Sequence, residues 1–132
     1  LEKKGSISCP VGGKISQGFG EITTGKKEQF FHSGLDIRST PGALVKSIAG
    51  GKVVFSGKLR GYGKLVVIDH GRGYLSLYGY LEKINVRQDS DVSRGFVIGK
   101  IGDNSSLKGP TLFFGLRKGG QPENPRNWTD CR

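Results

Sequence analysis

His32 and Asp36 stand four residues apart in "FHSGLD", with Gly34 between them. An imidazole nitrogen and a carboxylate are two of the donors that a protein-bound zinc ion takes. A catalytic zinc needs a third protein ligand, an open position for water, and a base. The chain holds two histidines in all. The other, His70, lies in "IDHGRG" just before a Gly-Arg-Gly turn, and reads as an exposed residue at a strand end. Asp69, Asp103 and Glu123 also sit near turns, without ligand-like spacing. Two histidines cannot supply both metal ligand and base. The sequence opens a zinc site without visibly closing it, so no cofactor is expected and zinc would meet an incomplete site.

Other catalytic patterns are weaker. Cys9 and Cys131 have no histidine near them in sequence, no GxSxG elbow is present, and "GGK" at 12–14 and 50–52 lacks the spacing of a phosphate-binding loop. The aromatic residues are the more distinctive set. Tyr62, Tyr74, Tyr78, Tyr80, Phe113 and Phe114 fall in or beside expected strands. Side chains alternate across a strand, so one of Phe113 and Phe114 packs inward and the other faces out. Arg117, four residues after Phe113, shares its face. An exposed aromatic lining a groove is a candidate anchor for a partner.

The elements that position these residues read as β throughout. Apolar and polar residues alternate in short runs, punctuated by Gly-rich or Pro-Gly turns about 8–12 residues apart, and no run of 11 residues carries a helical period. This implies an antiparallel β sandwich or open barrel. Residues 21–30 are polar and read as a loop leading to His32; Gly50–Gly51 reads as a hairpin or bend.

The 132 residues suit one domain, spanning 1–132 with its core at about 10–128. No apolar run approaches the roughly 18–20 residues of a membrane helix. The chain begins "LEKKG" and contains no Met, which suggests a domain excised from a longer protein, with any leader or membrane anchor outside it. A formal net charge of +10 favours anionic partners, but the basic residues are scattered and no nucleic-acid motif accompanies them. Cys9 and Cys131 lie near opposite ends. Termini often meet in space, so a disulfide in an oxidising compartment is expected, the alternative being two unrelated buried thiols. By chain entropy such a link would stabilise the fold by roughly 4–5 kcal/mol.

The segments "HSGLDI", "SIAGGKVVFSG", "GYGKLVVIDHGRGYLSLYGYL", "VIGKIG", "GPTLFFGLR" and "NPRNW", in this order, resemble the LytM or lysostaphin-like zinc endopeptidase domains. The resemblance covers about residues 10–128. It implies the antiparallel β fold of that family (lysostaphin-like, duplicated-hybrid-like), with a groove across the sheet, and activity on bacterial peptidoglycan cross-links in active members. Those members carry zinc ligands at the places of His32 and Asp36. They carry "HLH" where this chain has "TLF", so the third ligand is replaced by Phe113 and a catalytic histidine by Thr111. A second catalytic histidine is replaced by Tyr80, in "YGYL". Phenylalanine has no lone pair for zinc, and neither threonine nor tyrosine is a good base at neutral pH.

The pattern of departures resembles the degenerate LytM domains of the EnvC type. These activate N-acetylmuramoyl-L-alanine amidases at the division site by binding an inhibitory helix in the groove. The resemblance implies a non-catalytic regulator in the bacterial periplasm, with a cell-wall amidase, or an active LytM homologue, as partner. The implied groove residues are His32, Asp36, Tyr62, Leu65, Tyr78, Phe113 and Arg117. His32 and Asp36 are retained here although the type member has lost them. Two other readings are a peptidoglycan-binding module and a residual zinc endopeptidase completed by a ligand from elsewhere. No nucleic acid is expected as a partner, and a membrane only through regions outside the chain.

Overall fold

Two corners of the chain use backbone that most residues avoid. Arg72–Gly73 and Gly119–Gly120 have positive φ at both positions, 56° and 83° in the first, 58° and 82° in the second. Two-residue type I′ hairpins require this, because their twist matches that of the strands they join. The computed structural model describes residues 4–23, 29–103 and 109–132. Among them are twelve strands: β1 (Lys14–Gln17), β2 (Gly20–Thr23), β3 (Gln29–His32), β4 (Gly34–Arg38), β5 (Leu44–Lys46), β6 (Gly51–Leu59), β7 (Gly63–Gly71), β8 (Tyr74–Ile84), β9 (Asp91–Val92), β10 (Val97–Ile101), β11 (Thr111–Lys118) and β12 (Gln121–Glu123). Helical geometry among the described residues is confined to a 3₁₀ turn at Pro125–Asn127. Among the described residues no helix is long and apolar enough to cross a membrane.

Ten strands form one antiparallel sheet. Its main order is β1-β4-β11-β8-β7-β6-β9, with β10 joining β5 to β8 and β12 pairing with β11. The antiparallel β architecture expected from turn spacing is thus present. Gly50–Gly51 makes a bend and not a hairpin, since β5 pairs with β10 while β6 pairs with β7 and β9.

Of the loop expected at 21–30, residues 21–23 and 29–30 are strand instead, and 24–28 lie outside the described residues. β2 and β3 pair with each other as a separate two-stranded ribbon, Gly20 opposite His32 and Glu21 opposite Phe31. Phe30 and Phe31 are 54% and 56% exposed. The two adjacent phenylalanines break the apolar–polar alternation that marks a half-buried strand, so this stretch does not read as one.

The large sheet is apolar on both faces. On one face Val66, Ile68, Tyr78 and Phe114 join the main core, closed by Ile98 and Trp128. Each large side chain fully buried there contributes about 1.5–3 kcal/mol by leaving water. On the other face Leu65, Leu77 and Phe113 form a smaller buried cluster, rimmed by Phe55, Tyr62, Val67, Leu75 and Tyr80. The chain ends meet beside the main core. Cys9 and Cys131 are joined by a disulfide across 4.9 Å between Cα atoms, and Ile7 forms a parallel bridge with Thr129.

Candidate functional site

The smaller apolar cluster underlies the site. Asp36 on β4 lies directly opposite Phe113 on β11, and Phe113 in turn lies opposite Gly79 on β8. His32 ends β3, and one residue, Ser33, separates it from β4. His32 Nε2 lies 3.2 Å from Asp36 Oδ1. Both atoms are buried and neither meets hydrogen-bond geometry, so the pair is a close electrostatic contact more than an aligned bond. Burial pushes the Asp36 carboxyl above the usual carboxylate range, and His32 opposes that shift.

Phe113 occupies a bay cleared by glycine. A Cβ at Gly34 would lie 2.8 Å from Phe113 Cζ, one at Gly79 would lie 3.3 Å from its Cβ, and one at Gly115 would lie 3.2 Å from Cε2. Side chains at these three positions would compete with the ring for space. Around the bay stand His32, Tyr62 and Tyr80, with ring centroids 5.7, 5.2 and 6.2 Å from that of Phe113 and planes inclined at 81°, 58° and 66°. These are the tilted and edge-on arrangements that aromatic quadrupoles favour. Phe113 is only 3% exposed, so it forms the floor of the groove.

Tyr80 reaches the groove through a break in the strand. Its φ is +63°, the left-handed region, where a residue with a Cβ costs about 1–3 kcal/mol. The register of β8 against β7 shifts at this point, where Lys64 faces Leu81 and Val66 faces Tyr78. The extra residue is a β-bulge, which re-aims a side chain. The Tyr80 amide donates to the Tyr62 carbonyl at 2.8 Å, tying bulge to turn. Burial, then the nearby charges of Asp36 and Tyr62, holds the Tyr80 phenol above its ordinary value.

The other expected site residues sort by depth. Arg117 shares the face of Phe113, stands opposite Leu75, and donates weakly to the Gly120 carbonyl at 3.4 Å. Thr111 is on the same face, buried, and its hydroxyl donates to the Gly109 carbonyl at 3.1 Å. Leu65 is 1% exposed and supports the floor from beneath; it does not line the groove surface. Tyr78 corrects the expectation outright. It is fully buried in the main core, stacked on Phe114 at 5.7 Å, because Leu77 and Gly79 are the residues of that stretch that face the groove.

His70 is also corrected: it is half-buried, not an exposed turn residue. Its Nδ1 is 2.8 Å from the Gly50 carbonyl and its Nε2 is 2.7 Å from the Ser76 hydroxyl. A carbonyl can only accept, so Nδ1 carries the proton and Nε2 accepts from Ser76. Ser76 Oγ lies 2.8 Å from the Tyr78 hydroxyl, to which the Ile48 amide donates. This chain ties the bend before β6 to β7 and β8. It lies apart from His32 and Asp36.

A zinc ion does not fit the residues present. Among the described residues no three His, Cys, Asp or Glu side chains converge. Beside His32 and Asp36 stands the hydrocarbon ring of Phe113. Sequence reasoning missed the glycine bay and the exposed ribbon. Gly79 and Gly115, each two residues from Phe113 or opposite it, were the available signal for the first; the pair Phe30–Phe31 was the signal for the second.

Comparison with known proteins places this geometry. The model of peptidase family M23 matches residues 30–125. The murein hydrolase activator EnvC of Escherichia coli is 36% identical over 125 residues, covering 95% of this chain and 29% of that protein. The murein hydrolase activator NlpD of Salmonella dublin is 34% identical over 124 residues, covering 93% of this chain and 31% of that protein. A zinc-containing peptidase from Vibrio cholerae superposes with a TM-score of 0.83 at 29% identity, over 93% of this chain and 40% of that one. The chain spans about a third of the length of the curated relatives it matches.

Proposed function

The chain belongs to peptidase family M23, and from that premise we propose that it is a non-catalytic regulator, binding and activating a cell-wall hydrolase in the bacterial envelope. One observation carries the reading. The Phe113 ring sits against the His32–Asp36 pair, where the family resemblance puts a third metal ligand, and it is packed over glycines as a built part of the sheet. The place of a catalytic histidine is taken by Tyr80, whose phenol is shifted further from use as a neutral-pH base. What remains is an apolar, aromatic-walled trough with Arg117 at one end. Such a surface suits a helix laid along it through apolar anchors. The activator names of EnvC and NlpD support the same direction. The partner is a cell-wall amidase.

The test is activation of a purified amidase by the chain and by Arg117→Ala and Tyr62→Ala. Both variants should lose most activation while keeping the thermal stability of the parent. Normal activation by both would remove the groove from the mechanism.

A further inference from the structure

In a chain with 21 Lys and Arg against 11 Asp and Glu, the Asp36 carboxylate has His32 as its one ion-pair contact among the described residues, and no Lys or Arg. Oδ1 is covered, while a quarter of the Asp36 side chain remains open to water. Phe113, directly across the strands from Asp36, is flanked by Tyr62 and Tyr80, both half-buried and tilted against its ring. Aromatic faces beside a half-desolvated carboxylate favour one ligand chemistry, a positive charge on an organic group, held by the carboxylate and by the ring quadrupoles.

We propose that the box formed by Asp36, Tyr62, Tyr80 and Phe113 receives a single lysine ammonium or arginine guanidinium from the segment that the partner hydrolase lays in the groove. This rests on the activator reading. The contact gives that segment a register. Apolar anchors alone slide along a trough, whereas one charge in one box fixes the position, and a segment lacking it leaves the Asp36 carboxylate with His32 alone. The chain as a whole carries a net charge of +10, so a carboxylate in the groove selects for a cation at this point and for an acidic or neutral face elsewhere on the partner.

The first arm uses small probes. Methylguanidinium and n-butylammonium are added to the isotopically labelled chain, with 1-butanol and sodium chloride as controls, and NMR shifts are followed. The cations should give saturable shifts at Asp36, Tyr62 and Tyr80, and Asp36→Asn should weaken them by about tenfold. The Trp128 indole signal, in the main core, reports that the variant remains folded. Equal shifts with 1-butanol, or equal cation affinity in Asp36→Asn, would overturn the box. The second arm measures amidase activation, which should fall by about tenfold in Asp36→Asn. Full activation by that variant would overturn the proposal while leaving the activator reading intact. If the parent activates no amidase, the activator reading fails and the box loses its partner. If Asp36→Asn instead loses retention on isolated sacculi and keeps activation, the cation belongs to the wall and the proposal is wrong.

Discussion

Two aromatic pairs bridge β8 and β11, and they differ in nearly every physical respect. Tyr78 and Phe114 are direct cross-strand partners, stacked at 30° with no exposed surface. Tyr80 and Phe113 meet at 66° on the opposite face, with Tyr80 in a left-handed bulge. Burial pushes the Tyr78 phenol up to about 12, and its hydroxyl is tied to Ser76 and Ile48. The first pair is regular, dry and hydrogen-bonded. The second is irregular, strained and partly open to water. Strain of this sort persists where surrounding structure enforces it, and it marks recognition sites more often than cores. The same two strands thus hold the fold together on one face and present a surface on the other.

The sharpest way to break this contrast is by truncation. Phe114→Ala should cost about 3–5 kcal/mol in urea unfolding, because the main core cannot collapse into the void. Phe113→Ala should cost less, about 2 kcal/mol, because groove water can enter the vacated bay. Equal losses would mean that the groove face is as dry and as structural as the core.

A smaller effect separates the faces by pH. The main-face chain ends at His70, whose pKa burial lowers against the bond to Gly50. A histidine with a depressed folded value binds fewer protons folded than unfolded, so stability is full above the unfolded pKa of about 6.5 and falls as pH drops below it. His70→Gln should flatten that decline between about pH 6.5 and 5 while leaving amidase activation at neutral pH unchanged. An unaltered pH profile in the variant would exclude His70 as the group responsible.

The smallest expected change in stability is at the bulge. In Tyr80→Gly, relief of the left-handed backbone opposes the lost packing, and the net change should stay within about 1 kcal/mol. Amidase activation should nevertheless fall, since a wall of the groove is gone. A large loss of stability would show that Tyr80 belongs to the fold and not to the surface.

That bulge also explains what the sequence concealed. Alternation correctly sets Phe113 and Arg117 on one face and Phe114 on the other. The same rule would keep Tyr78 and Tyr80 together, and they are not. A period of two survives only until a residue leaves the extended region, and a tyrosine at φ +63° announces nothing in the sequence. His70 was misread for a related reason. The Gly-Arg-Gly turn begins one residue after it, and His70 still points inward with Ile68. The β2–β3 ribbon was illegible because its adjacent Phe30 and Phe31 do not alternate with polar residues. The hairpins at Arg72–Gly73 and Gly119–Gly120 were legible because positive φ demands glycine in at least one position.

The measurement that tests the account most directly is dye release from labelled peptidoglycan in zinc-containing buffer, with the chain alone, with an amidase alone, and with both. The account predicts no release by the chain alone and a large increase over the amidase when the two are combined. Release by the chain alone would contradict it, since a site with Phe113 and Tyr80 beside His32 and Asp36 would then have to cut the wall.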